Sequence, residues 1–168
     1  MSVPERLPRH GCPGQSFCHS HPTNAMTISI DHMESDEQIA MTYDVMRQLR
    51  PHLTQDSYVP AIRDLMASEG LRLMALLDTG TVRAVAAYRI MNMLYCGRLL
   101  YVDDLVCDER VRSRGYGAQL IARLKSEARA LGCSEIQLIS RVTREQAHRF
   151  YFREGFGIEC FQFRAKLT

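Results

Sequence analysis

The residues whose types and spacing most clearly suggest a binding site form one short segment. It combines two arginines with two glycines, Arg112-Ser113-Arg114-Gly115-Tyr116-Gly117. It follows a run rich in Tyr, Val and Leu at 98–107 and precedes a pattern typical of a helix. Glycine at the start of a helix lets backbone N–H groups converge on an anion, and the helix dipole adds a favourable field. Together with Arg110, the arginines supply cations that can pair with phosphate oxygens. The segment therefore predicts a phosphate site.

The spacing of this segment leaves one alternative open and disfavours two others. Gly115 and Gly117 would also suit a tight turn from strand to helix with solvated arginines. A Walker loop has Gly-Lys-Ser/Thr at the start of its helix, and a dinucleotide fingerprint has a third Gly after the first pair. Position 118 is Ala and position 120 is Leu, so neither motif is matched.

The elements that must position the segment alternate between strand and helix patterns. Their order is β-α-α-β-β-β-α-β-α-β, which predicts an α/β fold around a mixed sheet. The predicted strands cover 27–31, 71–77, 82–91, 98–107, 135–140 and about 158–166. The predicted helices cover about 36–50, 59–69, 117–131 and 145–154.

Composition limits the class of protein. With 168 residues and 46% hydrophobic residues, the chain is long enough for one core and too short for two, so we expect one domain. A net charge of +2, from 21 basic and 19 acidic residues, gives no general attraction to nucleic acid or to an anionic membrane. No apolar run suits a membrane span or a signal peptide, so we expect a soluble, cytoplasmic protein with reduced cysteines.

Residues 1–25 differ from the rest of the chain. They hold four of the six prolines and almost no periodic apolar pattern, which predicts a flexible N-terminal tail before a domain at 26–168. The tail contains the possible metal ligands His10, Cys12, Cys18, His19 and His21. Their spacing lacks the short Cys-x-x-Cys and His-x-x-x-His pairs of zinc sites, so we expect no metal.

Two segments resemble motifs of the GNAT superfamily of N-acyltransferases. Residues 112–117 satisfy its Gln/Arg-x-x-Gly-x-Gly/Ala pyrophosphate loop, and residues 101–106 resemble its fourth strand. The segment Ala147-His148-Arg149-Phe150-Tyr151-Phe152-Arg153-Glu154-Gly155-Phe156 resembles its Ala-x-x-Phe-Tyr-x-x-x-Gly-Phe motif. The resemblance covers about 26–166. It implies the GNAT fold, a mixed and mostly antiparallel central sheet flanked by helices, with splayed fourth and fifth strands.

The resemblance also implies acetyl-CoA as the co-substrate, and where it binds. The pantetheine arm is expected to pair with the backbone of Leu105, Val106 and Cys107, and the N–H group of Val106 or Leu105 is the expected oxyanion donor. The expected pyrophosphate-binding residues share the loop and the first helical turn: Arg112, Ser113, Arg114, Gly115, Tyr116, Gly117 and Ala118.

Two residues are the expected catalytic groups. Asp103 lies nine residues before Arg112, where some members of the superfamily carry a catalytic carboxylate, so it is the candidate general base. Substrate positioning is the alternative role. Strand alternation predicts that Asp104 points to the opposite face. Tyr151 is the candidate acid for the departing thiolate, and a core tyrosine beside Phe150 is its alternative role.

The resemblance implies an N-acetyltransferase that acts on a primary amine in a ternary complex. Residues 144–156 most resemble small-amine acetyltransferases, including the aminoalkylphosphonate group, so a small-molecule acceptor is favoured. A protein N-terminus or lysine, and a non-catalytic acetyl-CoA sensor, stay open as alternatives. The alternating last strand, with Phe161, Phe163, Ala165 and Leu167, is compatible with a homodimer.

Overall fold

The computed structural model describes residues 27–167, so the predictions about residues 1–25 and their possible metal ligands lie outside the described residues. In chain order the elements are β1 (Ile28–His32), α1 (Asp36–Met41), α2 (Tyr43–Leu49), α3 (Gln55–Glu69), β2 (Arg72–Asp78), β3 (Thr81–Met93), β4 (Gly97–Cys107), α4 (Tyr116–Ala130), β5 (Glu135–Leu138) and α5 (Glu145–Arg153). A short 3-10 helix, Glu109–Val111, joins β4 to residues 112–117, which we call the glycine loop.

The sheet has the strand order β1-β2-β3-β4-β5. Its first three pairs are antiparallel, and β4 and β5 are parallel. The long connection through α4 is what a parallel pair requires. The predicted α/β fold with a mixed, mostly antiparallel sheet is confirmed.

Helices cover both faces of the sheet because its central strands carry apolar side chains on both sides. On β2, Leu73 and Ala75 pack in the cluster beneath α1, α2 and α3. Met74 and Leu76 alternate with them and pack in the cluster beneath α4. The glycine loop and α5 belong to this second side.

The first predicted helix is divided in two at Thr42. The Thr42 N–H group donates to the carbonyl of Ile39 at 3.0 Å, which tightens the turn. The Thr42 hydroxyl donates to the same carbonyl at 2.7 Å and lies 2.7 Å from the hydroxyl of Tyr58. The next helix, α3, begins at Gln55 rather than at the predicted residue 59, because Thr54 and Ser57 form a capping box.

The last predicted strand, at about 158–166, is wrong: residues 154–167 contain no strand. A strand needs a hydrogen-bonded neighbour, and no strand within residues 27–167 pairs with this segment. Its apolar side chains, among them Phe161 and Phe163, are exposed. The sequence of this segment alternates as a strand does, but no segment within the described residues forms the backbone hydrogen bonds that a strand needs.

A β-bulge corrects the predicted orientation of Asp104. Val102 pairs with Tyr88 and Asp104 pairs with Ala87, so Asp103 is an extra residue in β4. A bulge interrupts the alternation of side chains. Asp103 and Asp104 consequently line the same cavity instead of pointing to opposite faces.

Candidate functional site

The site begins where β4 and β5 stop pairing. Their parallel register ends at Val102 and Leu138, whereas β4 continues to Cys107. The predicted separation of the fourth and fifth strands is therefore present. Residues 104–107 of β4 are paired with β3 on one side, and their other edge faces no strand within residues 27–167.

The register of β3 and β4 identifies which amides face this open edge. The Asp108 N–H group donates to the carbonyl of Arg83 at 2.8 Å. Hydrogen-bonded and non-hydrogen-bonded pairs alternate along an antiparallel ladder, so Val106 also directs its N–H group toward β3. The N–H groups of Leu105 and Cys107 point the other way. Of the two amides that the sequence left open as oxyanion donor, Leu105 is the one at the open edge.

The glycine loop ends in a helix terminus whose backbone donors are unused. Gly115 is the N-cap of α4 at a φ of 78°, and no side chain caps the helix. The first backbone bond of α4 runs from Gln119 N to the Gly115 carbonyl. The N–H groups of the first three helical residues, 116–118, therefore have no intrahelical partner. Such a terminus attracts an anion through its N–H groups and its dipole.

Ser113 shows that the loop is held in an uncommon conformation. Its φ of 65° lies in the left-handed region, which residues with a side chain rarely adopt. This conformation costs on the order of 1–3 kcal/mol of free energy, and interactions of the surrounding structure must offset that cost. Backbone strain of this kind is concentrated at ligand-binding loops.

Two residues of the loop, Tyr116 and Gly117, can offer only backbone atoms to a ligand. The Tyr116 side chain is buried in the core, and its hydroxyl donates to Asp78 at 2.5 Å. This hydrogen bond holds the pKa of Asp78 below its usual range. At Gly117 an added Cβ would lie 3.0 Å from the sulfur of Cys107 and 3.2 Å from the ring of Phe150. Gly117 thus allows α4 to lie close to β4 and α5.

The three arginines of the loop have different environments. The Nε atom of Arg110 donates to Asp108 at 2.8 Å, so this guanidinium is engaged within the protein. Arg112 is largely exposed and lies 4.0 Å from Glu109. Arg114 is exposed and forms no ion pair with another described residue. Arg112 and Arg114 are therefore less engaged within the protein than Arg110.

Asp108 fixes the entrance of the loop. Its fully buried carboxylate accepts hydrogen bonds from Arg110, from Arg83 of β3 at 3.2 Å and from Gln48 of α2 at 3.4 Å. The hydrogen bond from Arg110 is the main reason that the pKa of Asp108 falls to about 2. This carboxylate connects α2 and β3 to the start of the loop.

Tyr151 lies beside the end of the open edge. Its ring packs against those of Phe150 and Phe156, with centroids 5.4 and 5.8 Å away. Burial raises the pKa of Tyr151, the charge of Arg144 opposes that rise, and the neighbouring Cys107 thiol adds to it. The Tyr151 hydroxyl forms no hydrogen bond with another residue of the described chain. It can therefore form a hydrogen bond with a ligand.

Ser140 lies two residues beyond the end of β5. Its hydroxyl is buried and has no hydrogen-bond partner within residues 27–167. A buried hydroxyl without a partner carries a free-energy cost of about 1–3 kcal/mol.

Asp103 and Asp104 line a cavity of about 320 Å³ on the α2 and α3 side of the sheet. The Arg89 guanidinium holds Asp103 through two hydrogen bonds, Nε to Oδ2 at 2.8 Å and Nη2 to Oδ1 at 2.6 Å. Arg50 holds Asp104 at 2.5 Å. Each carboxylate oxygen can accept further hydrogen bonds, so Asp103 remains available to a ligand.

Sequence reasoning missed four residues of the site: Arg50, Arg89, Asp108 and Glu69, a cavity residue whose carboxylate lies 3.5 Å from Arg89. Arg89 had a visible signal, because it is a charged residue inside a run that otherwise reads as a buried strand. The others belong to no motif, and their partners lie between 2 and 60 positions away along the chain. Only the folded chain brings them together.

Within residues 27–167, no group of three or more His, Cys, Asp or Glu side chains is arranged to hold a metal ion. The helices in the same range are too short or too polar to cross a membrane.

Comparison with known proteins finds N-acetyltransferases. The family model described as acetyltransferase (GNAT) family matches residues 37–157. The chain is 32% identical over 138 residues to the uncharacterized N-acetyltransferase YhdJ of Bacillus subtilis, covering 82% of this chain and 97% of that protein. It is 29% identical over 90 residues to the aminoalkylphosphonate N-acetyltransferase of Salmonella typhimurium, covering 54% and 58% of the two chains.

Solved structures share the fold. The aminoglycoside N-acetyltransferase AAC(6')-Iy, solved in complex with CoA, superposes with a TM-score of 0.73 at 17% identity. The match covers 84% of this chain and 95% of that one.

Proposed function

The chain belongs to the acetyltransferase (GNAT) family and is an N-acetyltransferase, and we propose that it transfers the acetyl group of acetyl-CoA to the primary amine of a small molecule. Transfer takes place directly, with both substrates bound. The observation that carries the proposal is the adjacency of three features: the open edge of β4, the uncapped N-terminus of α4 and the cavity beside Asp103.

The residues present fit acetyl-CoA. The N–H groups of residues 116–118, together with Arg112 and Arg114, bind the pyrophosphate. The free edge at 105–107 pairs with the amides of the pantetheine arm as a neighbouring strand would. Ser140 supplies one further hydroxyl to the same arm. Acetyl-CoA contributes an acyl group on a good leaving group.

Leu105 supplies the electrophilic assistance. Its N–H group points to the open edge, where the thioester carbonyl lies when the pantetheine arm pairs with β4. Attack by the amine places negative charge on that carbonyl oxygen, and a fixed backbone donor stabilises the charge. Because β3 holds β4 on its other side, the donor needs no reorganisation during the reaction.

Asp103 receives the proton of the amine, directly or through water. The nitrogen–carbon bond forms as the carbon–sulfur bond breaks, and the amine loses one proton toward the cavity side. The bidentate contact with Arg89 fixes the carboxylate while leaving lone pairs for the amine. The alternative role, positioning of the amine, predicts a raised KM with an unchanged pH profile in Asp103→Asn.

Tyr151 acts on the leaving sulfur. A thiol, with an ordinary pKa of about 8.5, is a stronger acid than a tyrosine with an ordinary pKa of about 10. The raised pKa of Tyr151 keeps the phenol protonated, so its first contribution is a hydrogen bond to the developing thiolate. Arg144 favours completion of the proton transfer because its charge stabilises the phenolate.

The test is release of free CoA thiol from acetyl-CoA in the presence of a panel of small primary amines, with product mass measured in parallel. We expect stoichiometric thiol and N-acetylated amine. CoA binding without turnover on any amine would favour a sensor module, and acetylation confined to protein lysines or N-termini would favour the protein substrate class.

A further inference from the structure

The cavity beside Asp103 is lined by more acidic than basic side chains. Three carboxylates line it, those of Glu69, Asp103 and Asp104, against two guanidinium groups, those of Arg50 and Arg89. The formal charge of these five groups is −1. His52 also lines the cavity.

Both guanidinium groups are already engaged. Arg89 makes its bidentate contact with Asp103, and its Nη1 atom lies 3.5 Å from Glu69. Arg50 binds Asp104 through Nε at 2.9 Å and Nη2 at 2.5 Å. An anionic group in this cavity would have to share a guanidinium group that already binds a carboxylate. It would also face an excess of negative charge.

Glu69 is the carboxylate without a close partner. It is the last residue of α3, and its side chain is 55% exposed at the cavity. Its single contact, with Arg89, is at the long end of ion-pair distances and shares a guanidinium that Asp103 already occupies. The uncompensated charge is therefore at Glu69, where it can meet a cation from solvent.

The remaining wall of the cavity is apolar. It is formed mostly by α2, α3 and the segments next to them, through Met46, Leu53, Ile62, Leu65 and Leu71. The volume of about 320 Å³ is at the small end of ligand pockets. A hydrocarbon or aromatic body gains free energy on entering such a wall, whereas a second charge would lose its hydration there.

We propose that the acceptor is a small primary amine with one positive charge, an apolar body and no acidic group. The inference rests on the proposed function, since it assigns the substrate class of the same site. The ammonium group enters between Glu69 and Asp103 and loses its first proton to water, Asp103 receives the second proton as the amide forms, and the body lies against α2 and α3. This class differs from the phosphonate-bearing amine named for the Salmonella relative.

The experiment compares four primary amines at pH 8: phenethylamine, phenylalanine, 2-aminoethylphosphonate and 1,4-diaminobutane. Phenylalanine has the same body as phenethylamine with an added carboxylate, and the diamine has a second positive charge. We expect kcat/KM for phenethylamine to exceed that of each other amine by at least tenfold. Higher kcat/KM for phenylalanine or the phosphonate would overturn the inference while leaving the proposed function intact.

Glu69→Gln tests the origin of the preference, with Glu34→Gln as the matched control. Glu34 is exposed and does not line the cavity. Glu69→Gln should raise the KM for phenethylamine about tenfold at similar kcat and lower the KM for the two anionic amines, whereas Glu34→Gln should change neither. A merely structural role of Glu69 would move both classes of amine in the same direction, and that result would contradict the inference.

Calorimetry of phenethylamine in the presence of CoA tests the cavity independently of turnover. Binding that weakens in Glu69→Gln without any acetylation would uphold the inference and refute the proposed function. No binding of phenethylamine to the wild-type complex would refute the inference.

Discussion

Gly115→Ala separates the phosphate role of the glycine loop from its role as a turn. Gly115 has a φ of 78°, and a Cβ there would meet no protein atom within 4 Å. Gly132, just beyond the other end of α4, has a φ of 69° and equally open surroundings. Gly132→Ala is therefore a matched control with the same backbone strain and no proposed ligand.

The effect on the free protein should be small and alike in the two variants. A left-handed conformation costs an alanine about 1–2 kcal/mol, and the loss of unfolded-state freedom offsets about 0.4–1 kcal/mol of that. A net loss of about 1 kcal/mol lowers Tm by about 2–4 °C for a chain of this size.

The effect on CoA binding should differ. At 100 times its Kd, CoA stabilises the wild type by about 2.7 kcal/mol, a Tm increase of about 5–10 °C. If the N–H groups of residues 116–118 bind the pyrophosphate, a methyl group on the N-cap residue should hinder its close approach. A 100-fold weaker Kd leaves about 0.4 kcal/mol at the same CoA concentration, a shift of about 1 °C.

The assay is thermal denaturation of the three proteins with and without CoA, with ATP as the nucleotide control. Wild type and Gly132→Ala should respond to CoA, and Gly115→Ala should respond little. An equal CoA response in Gly115→Ala and Gly132→Ala would refute the pyrophosphate assignment and favour the interpretation of Gly115 as a turn residue alone.

Four further predictions follow from the structure. Tyr151→Phe should lower kcat by about 10²–10⁴ with little change in CoA affinity; normal kcat under conditions where chemistry limits the rate would make Tyr151 a core residue. Because the folded pKa of Asp108 is depressed from 3.8 to about 2, its contribution to stability is present above about pH 4 and is lost as pH falls toward 2. Acid-denaturation curves of wild type and Asp108→Asn should converge in that window, and parallel curves would contradict the assignment. If exposed Phe161 and Phe163 form a homodimer contact, replacing both with Ser should produce monomers in sedimentation, whereas an unchanged mass would exclude that contact. Deletion of residues 1–25 should leave Tm and turnover unchanged, and a large loss of either would show that this segment packs on the domain or binds a ligand.

The sequence by itself determined the parts of the protein that depend on local chemistry. Gly115 and Gly117 occupy the start of a helix because left-handed φ and close approach to Cys107 exclude larger residues there. The apolar stripe of α4 and the two β-like runs that became β2 and β3 were sufficient to predict the helix, the strands and the fold class. These features need only the residue and its near neighbours in the chain.

Only the tertiary structure decided how the candidate site is assembled. One bulge in β4 turns Asp104 to the same side as Asp103, and alternation from residue 103 would not reveal the extra residue. The direction of the Leu105 amide depends on the register with β3, a strand about 20 positions away in the chain. The same is true of the contact between Arg89 and Asp103. The last segment had the alternation of a strand, yet a strand exists only where another chain segment satisfies its backbone hydrogen bonds, and that partner is a property of the fold.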